Sequence, residues 1–336
     1  MILVRLSLSP LLAEPDGMNP TSDLRPVVVI VGPTAVGKSA LAARLTSVFN
    51  MHVINADARQ IFRTMNVGTA KPTREELDLA PSFGYDILDP TESTSAADYA
   101  TRVRAYIASM PSTALPVLVG GSGLYVSAII DGFSSAPQPT DDIRRLVQDL
   151  LLEKGRTGLW EELYRRDPVA AERYADKNPR RVARALEHIF STDTLFSTTW
   201  QEERDSAPFA PFMIGLHRQR DIERNVIEQR CRDMWAGGLL DEAQHLLSIP
   251  ASEQALATVG YAEALRWIRG EITEEQALTA FIRNSQRYAK RQMTWFRRDD
   301  RIRWYEADTN KIFETIVNDL LDQSDVRRFA VQHEGS

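Results

Sequence analysis

Residues 32–39 read Gly-Pro-Thr-Ala-Val-Gly-Lys-Ser, between an apolar run, Val27 to Val31, and an apolar-periodic stretch that continues to Phe49. A glycine-framed loop in that setting predicts a strand, a phosphate-binding turn and a helix, which commits the chain to an α/β fold. Its glycines let successive backbone N–H groups point at oxygens. The following helix N-terminus adds partial positive charge, and Lys38 and Ser39 reach phosphate and metal. The predicted anion site is therefore Gly32, Pro33, Thr34, Ala35, Val36, Gly37, Lys38 and Ser39, with Ser39 an indirect ligand for magnesium. The ligand carries a diphosphate or longer. Whether its phosphates are hydrolysed, transferred or released, the loop leaves open.

A formal charge of −6 over 336 residues argues against coating nucleic acid through bulk charge, so any such partner needs a local basic patch. One exists: from Arg283 to Arg303 there are eight Lys or Arg and two Asp, a local +6 that leaves the rest of the chain at −12. Cys231, the only cysteine, excludes an intrachain disulfide and a cysteine-rich zinc module, and reads as a small apolar filler on a helix. A reducing cytoplasm is the expected setting. Residues 1–25 read as a disordered leader, because Arg5 interrupts a short apolar run and no small-residue cleavage site follows. Met18 lies closer to the first strand and is a candidate start. No run reaches the about eighteen apolar residues of a membrane span, so no membrane partner is expected.

Met51 to Ala56 reads as a second buried strand ending at Asp57, and Gly84 to Leu88 as a short third. Ser95 to Met110 reads as a helix, and Pro116 to Val119 as a strand running into Gly120-Gly121-Ser122-Gly123. Strands alternating with helices imply a parallel sheet with its ligand at the carboxyl ends. From Gly132 to Pro139 the composition shifts to Gly, Ser and Pro, and only helical periodicity follows until Pro208 and Pro211. Phe212 to Leu216 then resumes as a strand, followed by helices over Arg220 to Leu247, Gln254 to Arg269 and Thr273 to Phe296. The expected architecture is a P-loop NTPase-like parallel sheet flanked by helices, with an inserted all-helical subdomain and a helical C-terminal region. Residues 26–133 and 207–310 form the catalytic core, 134–206 the insertion, and 311–336 a C-terminal helix and tail.

A nucleotide hydrolase or kinase usually needs an acid at the end of an apolar strand to organise magnesium, yet the strand Val117 to Val119 ends in glycines. The strand-end carboxylate near the loop is Asp57, which can organise magnesium, act as a general base, or serve as a helix N-cap before Ala58-Arg59-Gln60. Arg283, Arg287 and Arg291 recur at i, i+4 and i+8, with Lys290 beside them. Such a basic helical face suits a phosphate backbone. Trp295 and Phe296, just beyond, read either as aromatic partners for splayed bases or, more plainly, as core.

Four ordered blocks then resemble the tRNA dimethylallyltransferase family: Gly32 to Ser39, Asp57-Ala58-Arg59-Gln60-Ile61-Phe62, Gly68-Thr69-Ala70-Lys71-Pro72 and Gly120 to Tyr125. Arg180 to Glu187, Met234 to Glu242, Val259-Gly260-Tyr261 and Arg287 to Arg297 continue the match, which spans about residues 26 to 305. The resemblance implies transfer of a dimethylallyl group from dimethylallyl diphosphate to N6 of the adenine beside the anticodon. The tRNAs concerned read codons beginning with U, and Mg2+ is the cofactor. On this reading the loop cradles a leaving diphosphate, which accounts for the missing second acid. Asp57 takes the proton of a weakly nucleophilic exocyclic amine. Arg230 grips the diphosphate beside Ser39. Asp57, Ala58, Arg59, Gln60, Ser122, Arg180, Arg181, Arg184, Gly260, Tyr261, Arg287 and Arg291 contact tRNA, and Lys71 is an open candidate for substrate contact. A monomer is expected. The chain departs from the family's usual residues at Ser39, Ala58 and Phe62, where Thr, Ser and Tyr are common; the last two changes remove hydroxyls beside the base.

Three other readings stay open on the residues alone. An adenylate isopentenyltransferase shares the loop and the base but leaves the insertion and the basic face without purpose. A P-loop small-molecule kinase needs an acid where Gly120 stands. A nucleotide-gated RNA-binding module would bind without forming product.

Overall fold

The computed structural model describes residues 24–132, 139–200 and 209–331. Most of the expected leader, the Met18 start and both edges of the predicted insertion lie outside them. Along the chain come β1 (Arg25–Val31), α1 (Lys38–Leu45), β2 (Met51–Asn55), α2 (Arg74–Leu77), β3 (Ser82–Phe83), α3 (Ala96–Ser109), β4 (Leu115–Val119) and α4 (Gly123–Ile130). The helices α5 (Asp141–Arg166), α6 (Pro168–Arg173) and α7 (Pro179–Thr192) follow. After them come β5 (Phe209–His217), α8 (Arg220–Met234), α9 (Leu240–Ser248), α10 (Glu253–Leu256), α11 (Tyr261–Ile268), α12 (Glu274–Phe296), β6 (Ile302–Glu306), α13 (Ile312–Leu321) and α14 (Ser324–Arg327).

Five consecutive β-branched residues, Val27 to Val31, suit a strand covered on both faces, and all five are fully buried. β1 accordingly lies inside the sheet, paired in parallel with β4 on one side and β5 on the other. Among the described residues the parallel strands run in the order β3-β2-β4-β1-β5-β6. Side chains alternate across the pleat: Val27, Val29 and Val31 join one core layer with α3, α4, α8, α9, α11 and α12, while Val28 and Ile30 join the other with α1 and α13. A third apolar cluster draws only on residues between Val147 and Phe196, from α5, α6, α7 and the turn after them.

Several sequence expectations change. Gly84 to Leu88 is not a strand: Gly84 and Asp86 take positive φ of 91° and 54°, and the pairing falls to Ser82–Phe83 instead. The helix expected over Arg220 to Leu247 is interrupted by a wide turn at Trp235–Leu239, where Gly238 has φ 119°. Gln254 to Arg269 divides at Gly260, whose φ of 96° starts a new helix. β6 was not foreseen. Pro211 is tolerated inside β5 because β6 pairs only from Met213 onward, leaving that edge open where the missing N–H falls. Arg25 belongs to β1, not to a leader, and its guanidinium donates to the carbonyls of Ile107 (2.6 Å) and Pro111 (2.8 Å). The C-terminal helix α13 is part of the core, with Phe313, Ile316, Val317 and Leu320 packed beneath β1.

Candidate active site

The carboxyl ends of β1, β2 and β4 bring three loops together: Gly32 to Gly37, Asn55 to Arg59 and Gly120 to Ser122. In the first, Ala35 and Gly37 have φ of 65° and 103°, and α1 opens from the left-handed Gly37. Gly32 has no alternative: a Cβ there would lie 2.5 Å from the Leu216 carbonyl oxygen. Lys38 folds back over the loop and donates from Nζ to the carbonyls of Gly32 (3.1 Å) and Pro33 (2.8 Å). Burial lowers its pKa to about 8, with Asp57 opposing the shift and Arg230 adding to it. Burial also lowers the pKa of the half-buried Arg230, again against a pull from Asp57. A lysine, an arginine and a carboxylate thus share one site, and an anion entering it would restore the charge that desolvation disfavours.

Asp57 is held from behind by Asn55, a fully buried amide at the end of β2. Asn55 Oδ1 accepts from the Asp57 N–H (2.8 Å), and its Nδ2 donates to the carbonyls of Asp57 and Gly84, both at 3.0 Å. Tyr99 closes the arrangement by donating its hydroxyl to the Asn55 carbonyl at 2.6 Å. The carboxylate itself accepts from the Arg59 N–H at 2.9 Å through Oδ1, which closes a tight turn; the helix N-cap reading is corrected, because residues 58–60 form a turn and no helix starts there. The Arg59 bond does not exclude the base: among the described residues no hydrogen bond reaches Oδ2. Burial, and after it the Asp57 charge, raises the pKa of Tyr85 and Tyr288, which places both phenols near that carboxylate.

The other residues named from the sequence fall into two groups. Ser122 accepts from the Ala58 N–H at 2.9 Å and is hydrogen-bonded to Tyr288, joining the β4 loop to the β2 loop. Arg59 donates to the Gln254 carbonyl, and Gln60 Nε2 to the carbonyls of Thr69 (3.1 Å) and Ala70 (3.0 Å). These contacts shape the wall beside Asp57. Gly260 and Tyr261, expected to contact tRNA, are both buried. Tyr261 is fully buried and gives its hydroxyl to Glu242 at 2.5 Å, while Gly260 is pressed against Phe281. Lys71 is likewise structural: its ammonium donates to Phe62 O, Asn66 Oδ1 and Asp86 Oδ1, and its side chain is 3% exposed.

On α12 the buried side carries Ala277, Phe281, Ser285, Ala289, Gln292 and Phe296, and the exposed side Arg283, Arg287, Lys290 and Arg291. The two aromatics beyond divide: Phe296 is core, but Trp295 is 43% exposed and lies against Gly123, where a Cβ would come within 2.1 Å of the indole. In α7 each arginine already has an acid: Arg180 with Glu253 (2.9 Å), Arg181 with Asp176 (3.6 Å) and Arg184 with Glu187 (3.7 Å). Asn55, Tyr288, Glu242 and Gln292 complete the site and were not foreseen. A signal existed only for Gln292, a polar residue at a buried helical position: its Oε1 accepts from the Thr34 N–H and its Nε2 donates to the Gly121 carbonyl, each at 2.8 Å.

Among the described residues no group of three His, Cys, Asp or Glu could hold a metal unaided. Hard oxygen donors are nonetheless available in Ser39, at the first turn of α1, and in the phosphates of a ligand, which is the way magnesium is commonly held. The donor set fits that ion.

The IPP transferase family model matches residues 60–299, and an isopentenyl transferase model matches 25–85. The chain is 36% identical over 308 residues to a tRNA dimethylallyltransferase of Syntrophobacter fumaroxidans, covering 90% of each chain. It is also similar to the structure of a tRNA isopentenylpyrophosphate transferase from Bacillus halodurans, with 35% identity, a TM-score of 0.66 and coverage of 90% of this chain and 99% of that one. A eukaryotic dimethylallyltransferase acting on tRNA shares the fold at a TM-score of 0.76 and 22% identity, with coverage of 92% and 81%.

Proposed function

The chain belongs to the IPP transferase family, and on that premise we propose that it transfers a dimethylallyl group from dimethylallyl diphosphate to N6 of the adenine beside the anticodon of tRNAs that read codons beginning with U. The observation that carries this reading is the convergence of Lys38, Arg230 and Asp57 beside a phosphate loop whose neighbouring strand end, Gly120-Gly121, offers no acid. The chemistry then needs no phosphoryl transfer. The adenine N6 lone pair attacks the allylic carbon, the carbon–oxygen bond breaks, and its electron pair leaves on diphosphate. Lys38 and Arg230 neutralise that departing anion, and the loop N–H groups orient it. Asp57 Oδ2 accepts the proton released from the amine as the new bond forms, while Oδ1 keeps its bond to the Arg59 N–H. Magnesium, held by diphosphate oxygens with Ser39, would add charge neutralisation.

The exposed arginines of α12 supply the surface for the anticodon arm, and Arg180, Arg181 and Arg184 a second one on the insertion. A monomer acting in the cytoplasm completes the proposal. Incubation with dimethylallyl diphosphate, magnesium and either unmodified tRNA or AMP, followed by mass analysis of the nucleosides, tests it. Prenylated adenosine is expected from tRNA; product from AMP alone would point to an adenylate isopentenyltransferase.

A further inference from the structure

We propose that Gln292 is a positioning residue for the diphosphate: a clamp, carried on the arginine-bearing helix, that holds the phosphate loop in register with the Gly120–Ser122 turn. The inference rests on the reading of residues 32–39 as the diphosphate site. Gln292 is 5% exposed, and a buried primary amide must place both its donor and its acceptor. Here both ends meet main chain of fixed polarity. The Thr34 N–H can only donate and the Gly121 carbonyl can only accept, so the amide has a single orientation, with both bonds at 2.8 Å. The two partners follow neighbouring strands, β1 and β4, and belong to different walls of the site.

The fit of the clamp is tight enough to dictate a neighbour. A Cβ at Gly121 would stand 2.1 Å from Gln292 Nε2, so the second glycine of Gly120-Gly121 makes room for this amide. Because Gln292 takes the first N–H after Pro33, it sets the angle at which the following turn, with Ala35 and Gly37 in left-handed conformations, presents its amides. On the exposed side of the same helix stand Arg287 and Arg291. The surface proposed for tRNA and the register of the phosphate loop are therefore fixed by one helix.

Titration calorimetry with magnesium pyrophosphate reads the clamp without any turnover. Gln292→Met keeps the length of the side chain and removes both hydrogen bonds. It is expected to raise the pyrophosphate Kd and the KM for dimethylallyl diphosphate about tenfold, while the Kd for tRNA stays within about twofold. Gly121→Ala displaces the same amide without touching Gln292 and should reproduce the loss. In the double variant the two losses should not add, since each removes the same interaction. A pyrophosphate Kd within about twofold of wild type in either variant, or strictly additive losses, would overturn the clamp. If Gln292→Met does not fold, Gly121→Ala decides alone. A wild-type protein that prenylates no tRNA would reject the proposed reaction, and the pyrophosphate comparison would still decide the role of Gln292.

Discussion

At the scale of single residues, the proposed chemistry makes separate demands on Asp57 and Lys38. Asp57→Asn keeps an oxygen for the Arg59 N–H and so keeps the turn, but it removes the proton acceptor. Turnover should fall by about 100- to 10,000-fold, the usual contribution of a general base, with tRNA affinity within a few fold of wild type. Single-turnover assays alongside filter binding measure both, and retained turnover would take the base role from Asp57. Lys38 gives a pH signature. Burial leaves its free pKa at about 8, and a bound diphosphate, favouring the ammonium form, must raise it. Below pH 8 the lysine is charged before and after binding, so it adds no pH dependence. Above pH 8 binding takes up a proton, and the diphosphate Kd rises by at most about tenfold per pH unit until the pKa of the complex is passed. Calorimetry at pH 9 in buffers of different ionisation enthalpy should show more proton uptake by the wild type than by Lys38→Arg, whose cation does not titrate. The protonation of pyrophosphate itself is common to both proteins and cancels.

At the scale of elements, the wall beside Asp57 is fastened from a distance. Glu242 on α9 accepts from the N–H groups of Asn66 and Val67 at 2.9 Å and Gly68 at 3.2 Å, and the loop it holds offers Thr69 and Ala70 carbonyls to Gln60. Gly68 allows that approach, since a Cβ there would lie 2.4 Å from Leu239 and from Tyr261. Glu242→Ala strands three backbone donors and a phenol. It should lower stability by about 2–3 kcal/mol and speed amide exchange at residues 66–68 well before it affects β1, as hydrogen exchange with mass analysis would show. Exchange unchanged at those amides would mean the loop is held by something else. This fastening also marks the limit of what the sequence discloses. The phosphate loop, β1, β4, α3 and α12 were legible because each is specified by local periodicity or by a glycine pattern within a few residues. Glu242 with residues 66–68, and Gln292 with Thr34, join positions more than 170 residues apart, and no local pattern encodes such pairs. The expected strand at 84–88 fails for another reason: its apolar flavour is local, but Gly84 and Asp86 take positive φ, and Gly84 lies under the Tyr99 hydroxyl, where a Cβ would stand 2.2 Å from the oxygen.

At the scale of the whole molecule, a protein of net charge −6 must attract a polyanion through a small part of its surface. The segment 283–303 carries +6 against −12 elsewhere, so an RNA backbone is repelled from most orientations and drawn to one. Not every arginine contributes equally to that field. Arg180, Arg181 and Arg184 on the insertion are each paired with a carboxylate, and an RNA phosphate reaching them must first displace Glu253, Asp176 or Glu187. Arg283, Arg287 and Arg291 on α12 are exposed and have no such ion pair among the described residues, so solvent ions are left to balance their charge. On the proposed reading, RNA bound there would release ions to solution, whereas RNA bound at the insertion would chiefly exchange one partner for another. The slope of log Kd for tRNA against log salt should therefore fall by about three when Arg283, Arg287 and Arg291 are changed together to Gln, about one unit for each phosphate no longer neutralised. The same change at Arg180, Arg181 and Arg184 should lower it by less. Filter binding across a salt series measures both triple variants, with pyrophosphate affinity as the control for an intact site. Equal slopes for the two would show that the insertion's carboxylates yield to RNA without cost, and would make its arginines as much a part of the electrostatic grip as those of α12.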